Sequence, residues 1–174
     1  LYLSLEAALT ANDNNPQVAA ICMPALFRSR ALERDLDFLH GPSWRSRLEV
    51  TPACQDYLRH LQDVAMVRPE RLVAHAYVRY LGDLSGGQQL KHIVARSLQL
   101  APGCGVDFYD FGDSLQTAAL TQTFRAGLAG MQVDARQVDE IVAEAQEAFG
   151  RHNTLFRQLA QGSRLSPGEP LKSP

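Results

Sequence analysis

Apolar residues recur three and four apart along most of the chain, and the breaks between these runs carry Pro, Gly and Asn, which predicts helices separated by short connections. A first helix runs from Leu1 to the polar cluster Asn12-Asp13-Asn14-Asn15, where Pro16 stops it. A second spans about Pro24 to Phe38, with Leu26, Ala31 and Leu36 on its apolar side and Gly41-Pro42 as its stop. Thr51-Pro52 places a capping hydroxyl before a proline at the first helical position and opens a third helix carrying Tyr57, Leu58, Leu61 and Met66. Pro69 opens the longest segment, helical on both sides of an interruption at Gly82, Gly86 and Gly87, with a bend expected near Ser85. Asp113 caps a fifth helix reaching about Ala129. Asp134 caps a sixth reaching about Gln161, with Val138, Ile141, Val142, Ala145, Phe149, Phe156 and Leu159 in register. Residues 162–174 are rich in Pro and Ser and read as a disordered tail, leaving one helical domain over 1–161. Leu1 falls inside an apolar run with neither a capping residue nor Met before it, so residues are expected to be missing upstream.

Composition agrees with an all-α fold, because Ala and Leu outnumber Ile, Val and Thr together by more than two to one. The chain's 174 residues, 45% hydrophobic and 21% charged, fit one globular domain and exclude a disordered chain. A net charge of −2 supplies no basic field for gathering nucleic acid, and no apolar run approaches the ~18 residues of a membrane span, so neither nucleic acid nor a membrane anchor is expected. Cys22, Cys54 and Cys104 are odd in number and widely spaced, which argues for packing thiols in a reducing cytoplasm rather than a disulfide framework or a CxxC pair.

The glycines carry the chemical signal. Three in six residues cost a helix roughly 1 kcal/mol each relative to Ala, so Gly82, Gly86 and Gly87 need a purpose. Gly82 and Gly86 share a face, and a face without side chains lets a flat partner reach the backbone. Around it stand Arg79, Asp83, Tyr77, Tyr80 and Ser85, groups able to hold ordered water and pass protons. Close helix packing at the glycines and a plain surface Arg–Asp pair explain the same residues without any chemistry.

The stretch from Ala74 to Gln88, AHAYVRYLGDLSGGQ, resembles the distal-helix signature of the heme oxygenases, and ALERDLDFLHGPSW around Trp44, the Thr51-Pro52 start and EAQEAF ending at Phe149 extend the resemblance to about Leu159. The resemblance implies an all-α, heme oxygenase-like helical bundle with a Gly-kinked distal helix, in which heme is both cofactor and substrate and is opened with O2 to biliverdin, CO and ferrous iron. It implies that Gly82, Ser85, Gly86 and Gly87 lie against the heme. Asp83 would serve the proton-delivering water network without ligating iron, supported by Arg79 and Tyr77. Arg125 matches a position that pairs with a propionate, a contact suited to guanidinium. Phe108, Phe149 and Phe156 match aromatic positions in or near the pocket.

Three departures accompany the match. No residue of the chain corresponds to the proximal His, which would precede Leu1, and His40, His60, His75, His92 and His152 do not match it. Leu5 stands where many members carry a network tyrosine, and Thr121 stands for a lysine that helps hold a propionate. These departures keep open an alternative, a catalytically impaired carrier or sensor of heme, and beyond it an interaction protein with a Gly-rich packing seam. For the enzyme, nothing resembles a flavin or nicotinamide site, so the electrons are expected from a ferredoxin, a flavodoxin or a flavoprotein reductase.

Overall fold

The computed structural model describes residues 1–164, and these contain helices and connections but no strand. In chain order the helices are α1 (Tyr2–Ala11), α2 (Pro16–Ala19), α3 (Ser29–His40), α4 (Trp44–Arg47), α5 (Pro52–Val67), α6 (Leu72–Ala76), α7 (Gly82–Ser97), α8 (Ser114–Gly130) and α9 (Ala135–Arg164). Of the tail expected over 162–174, the first residues continue α9 to Arg164 and the rest lie outside the described residues.

The short helix α6 is the centre of the fold. All five of its residues, Leu72, Val73, Ala74, His75 and Ala76, are buried, and it packs against α1, α2, α5 and α9. Around it Leu5 and Leu9 of α1, Val18 of α2, Ile21, Leu26, Tyr57 and Leu61 of α5, Tyr80 and Phe124 of α8 form one apolar cluster. The backbone of α8 comes so near the segment after α2 that a Cβ on Gly127 would lie 2.0 Å from the Ala20 carbonyl oxygen. Only glycine permits that approach.

The helix starts follow the expected caps. Thr51 Oγ1 accepts from the Cys54 amide at 3.3 Å, and Asp113 and Gln116 form a reciprocal capping box on α8. Asp134 and Gln137 do the same on α9, at 2.7 and 3.0 Å. The second helix differs from expectation, for Pro24–Leu26 form a single 3-10 turn and the α-helix begins only at Ser29. The cap of α3 comes from another helix: the Glu6 carboxylate of α1 accepts from the Arg28 amide at 2.5 Å, the Ser29 amide at 3.1 Å and the Ser29 hydroxyl. The interruption expected at the glycines is not there, for Gly82–Ser97 run as continuous helix, and the irregular part of the segment is a π-helical stretch at Tyr77–Leu81, before the glycines.

The stripe of α9 is also corrected. Val138, Val142, Phe149, Phe156 and Leu159 are exposed, and Met66 of α5 is too. Among the described residues, the buried ones of α9 are Glu144, Ala148 and His152, an i, i+4, i+8 stripe of small and polar groups that meets α5, α6 and the π turn. Hydrogen bonds to those partners join the packing of buried Ala148 and of half-buried Ile141, the one member of the expected stripe packed against the apolar core. Among the described residues, no helix is long and apolar enough to cross a membrane. The thiols of Cys22, Cys54 and Cys104 are all free and half-buried.

Candidate active site

The π turn and the start of α7 present Arg79 and Asp83 toward the first turn of α1, and Tyr2 connects them. Tyr2 Oη donates to Asp83 Oδ2 at 2.5 Å. The same oxygen accepts from Arg79 Nε at 3.0 Å and from Arg79 Nη2 at 2.5 Å. With both acceptor directions taken by one guanidinium, the only hydroxyl proton is directed at Asp83. The guanidinium also lies 4.5 Å over the Tyr2 ring, and Phe108 meets that ring edge-on at 5.1 Å. Phe108 is held there because the buried Asp35 carboxylate accepts from the Asp107 and Phe108 amides at 2.8 and 2.7 Å.

Burial raises the Tyr2 hydroxyl far above its ordinary range, so it remains a donor. Burial also raises the Asp83 carboxyl, against the Tyr2 hydrogen bond and the charges of Arg79 and Arg28. A carboxyl so placed is suited to holding and releasing a proton. Asp83 Oδ1 has no side-chain donor among the described residues and is left for water or a ligand.

Arg79 is anchored from its other side. Its Nη1 lies 2.6 Å from Nε2 of His152, whose Nδ1 lies 2.8 Å from the Ala148 carbonyl oxygen. The carbonyl requires Nδ1 to carry the proton, which makes Nε2 the acceptor for Arg79. Burial and then the Arg79 charge hold the His152 imidazole down at about 4, neutral at physiological pH.

The glycines divide into two groups. A Cβ on Gly82 or Gly86 would meet nothing within 4 Å, so this face of α7 is open, whereas Gly87 is buried against Tyr109. Tyr77 is 43% exposed and makes no hydrogen bond to Arg79 or Asp83, so the structure does not bring it into the network expected of it. Ser85 is exposed on α7. Arg125 and Thr121 of α8 line a groove of about 940 Å³ together with Gln88 of α7 and Ser114 and Thr117 of α8. Arg125 has no carboxylate partner among the described residues, and the Thr121 hydroxyl donates within its own helix to the Thr117 carbonyl at 2.8 Å. Phe149 and Phe156 are exposed on α9, on the turns before and after His152.

Two members of this site were not legible as such. The tyrosine hydrogen-bonded to both Arg79 and Asp83 is Tyr2, whereas the Leu5 position, 1% exposed, lies in the core. His152 matches no family position in the sequence, although its place between Phe149 and Phe156 at i−3 and i+4 marks one helix face.

Comparison with known proteins places these features in a wider group. The heme oxygenase family profile matches residues 1–158. Heme oxygenase 1 of Nostoc sp. is 36% identical over 159 residues, covering 91% of this chain and 67% of that protein. Human heme oxygenase 1 is 37% identical over 163 residues, covering 92% of this chain and 57% of that protein. Among solved structures, heme oxygenase-2 from Synechocystis sp. PCC 6803 in complex with heme and NO superposes with a TM-score of 0.90 at 35% identity, over 96% of this chain and 70% of that one.

Proposed function

The chain belongs to the heme oxygenase family, and from that membership and its own site we propose that it takes part in the oxidative opening of heme to biliverdin, CO and ferrous iron. When bound, heme supplies both the iron that activates O2 and the ring that is cleaved. The residues present fit such a ligand. A flat macrocycle needs a helix face without side chains, which Gly82 and Gly86 provide, and its carboxylates need a cation without a protein partner, which Arg125 provides beside the groove. Phe149 and Phe156 offer exposed apolar surface on α9, and Phe108 acts indirectly by holding Tyr2.

The single observation that carries the reading is the Arg79–Tyr2–Asp83 arrangement beside the open glycine face. Asp83 holds a proton-conducting water at Oδ1 while Oδ2 is fixed by Tyr2. Arg79 fixes Tyr2, and His152 fixes Arg79. With heme bound against Gly82 and Gly86, the helix backbone would lie close over the ring and would limit the room for a small ligand there, which would orient the reaction. Electrons come from a separate carrier of the ferredoxin, flavodoxin or flavoprotein-reductase class, in a reducing compartment such as the cytoplasm. The carrier or sensor reading rested partly on a missing network tyrosine, and Tyr2 removes that support.

The test is Asp83→Ala in the protein titrated with hemin and then supplied with electrons. Heme affinity within about 2-fold of the parent, with biliverdin formation lower by ~10²-fold or more, is the expected result. Biliverdin formation at the parental rate would remove Asp83 from the mechanism.

A further inference from the structure

Behind the active site, three helices bring a second cluster of chemistry to one point. His60 of α5 and His75 of α6 direct Nε2 at the same atom, Oε1 of Glu144 on α9, at 2.5 and 3.1 Å. We propose that His60, His75 and Glu144 bind one divalent transition-metal cation of the zinc type, joining α5, α6 and α9.

The donor set and spacing support this assignment. Two imidazoles and one carboxylate are ligands suited to zinc, cobalt or nickel rather than magnesium or calcium. The three ligand atoms lie within 4.8 Å of one another. Around a tetrahedral zinc with bonds of ~2.0–2.1 Å, neighbouring ligand atoms sit about 3.3 Å apart. His75 and Glu144 are already near that separation, and His60 has to withdraw from Glu144 by slightly under ~1 Å. His60 is the member able to move, because its side chain is 22% exposed while those of His75 and Glu144 are 0% and 6% exposed. The same exposure gives the ion access and leaves a fourth position for solvent.

The surrounding groups hold the buried ligands in place. Tyr57 Oη lies 3.0 Å from His75 Nδ1, and Arg71 Nη1 lies 3.8 Å from the outer carboxylate oxygen, Glu144 Oε2. Without metal, both imidazoles donate Nε2–H to Glu144 Oε1 and Tyr57 donates to His75 Nδ1. With metal, the His75 proton resides on Nδ1 and Tyr57 accepts it, the His60 ring changes tautomer in the same way, and both Nε2 lone pairs are freed without net proton release.

Co2+ is the probe, added to the full chain before heme and followed by visible absorption. One equivalent is expected to bind with the intense bands of a four-coordinate site and to be displaced by Zn2+. His60→Gln retains an N–H donor for Glu144 but lacks the ligand, and is expected to weaken Co2+ by at least 10-fold. Tyr57→Phe is expected to weaken it by ~10-fold, as loss of a ligand-orienting partner does. His92→Gln, at an exposed position of α7, is expected to change nothing. Proton NMR of the parental Co2+ protein provides a reading independent of variant folding, with two exchangeable, strongly shifted ring N–H signals expected from two Nε2-bound imidazoles. Absence of a saturable Co2+ signal, parental affinity in His60→Gln, or loss of affinity in His92→Gln would each overturn the site. None of these outcomes bears on biliverdin formation, so the two readings succeed or fail separately.

Discussion

Arg79 Nη1 donates to His152 Nε2 across 2.6 Å, so the residue that orients Tyr2 and Asp83 is itself held by an imidazole that must stay neutral. Protonating His152 would place a second cation against the guanidinium. His152 is faced by Arg79 from the π turn, by the Tyr57 ring from α5 at 5.2 Å and by the buried His75 of α6.

The consequence is a stability that depends on pH. The folded imidazole is held down at about 4, below its ordinary 6.5, so between these values the unfolded chain binds more protons. Stability contributed by neutral His152 is complete above pH 6.5 and is lost as pH falls toward 4, amounting to ~2–3 kcal/mol. Glu144 adds a loss of the same sign at lower pH, from its ordinary 4.5 toward 2. Urea unfolding from pH 7 to pH 4 is expected to show the first loss, and His152→Gln, which keeps an acceptor for Arg79 without titrating, is expected to flatten it. An unchanged slope in that variant would show that His152 does not set the response.

Tyr2→Phe retains the ring beneath the Arg79 guanidinium and against Phe108, but removes the hydroxyl that lowers the Asp83 carboxyl. The expected result is a further upward shift of the Asp83 carboxyl, with the pH profile of biliverdin formation moving the same way and the rate at neutral pH falling by ~10-fold. Leu5→Tyr is the complementary variant. Leu5 is 1% exposed, so a tyrosine there overpacks the core and is expected to cost ~1–3 kcal/mol without strengthening the network. Faster turnover in Leu5→Tyr would return the network role to that position.

Local rules made the helices around Thr51, Asp113 and Asp134 legible, because their caps are written within four residues of sequence. The start of α3 was not legible, since its cap is Glu6, 22 residues upstream on another helix. The same distinction divides the site. Arg79, Asp83 and the glycines lie within one motif, whereas Tyr2 and His152 reach Arg79 across 77 and 73 residues and are joined only by packing. The exposed apolar face of α9 misled the periodicity because a hydrophobic stripe shows that a face is apolar, not which face the fold covers.

Glu6→Ala tests the cross-helix cap. It leaves the Arg28 and Ser29 amides and the Ser29 hydroxyl without their acceptor at a buried helix start, and is expected to cost ~2–3 kcal/mol in chemical denaturation. A loss under ~0.5 kcal/mol would mean that solvent caps α3 equally well.

The glycines of α7 and α8 give predictions of opposite sign. Gly127→Ala drives a methyl group into the Ala20 carbonyl and is expected to destabilise the protein by several kcal/mol or to prevent folding. Gly86→Ala has open space for its methyl group and a helical backbone, so in heme-free protein it is expected to raise stability by up to ~1 kcal/mol. The same methyl group stands where the proposed macrocycle would touch the helix, and heme affinity is expected to fall by ~10-fold or more, about 1.4 kcal/mol or above. Thermal unfolding without heme and hemin titration of the same preparation measure the two effects. If Gly86→Ala is more stable and binds hemin as the parent does, the ligand does not lie on this face, and the glycine pair has another purpose.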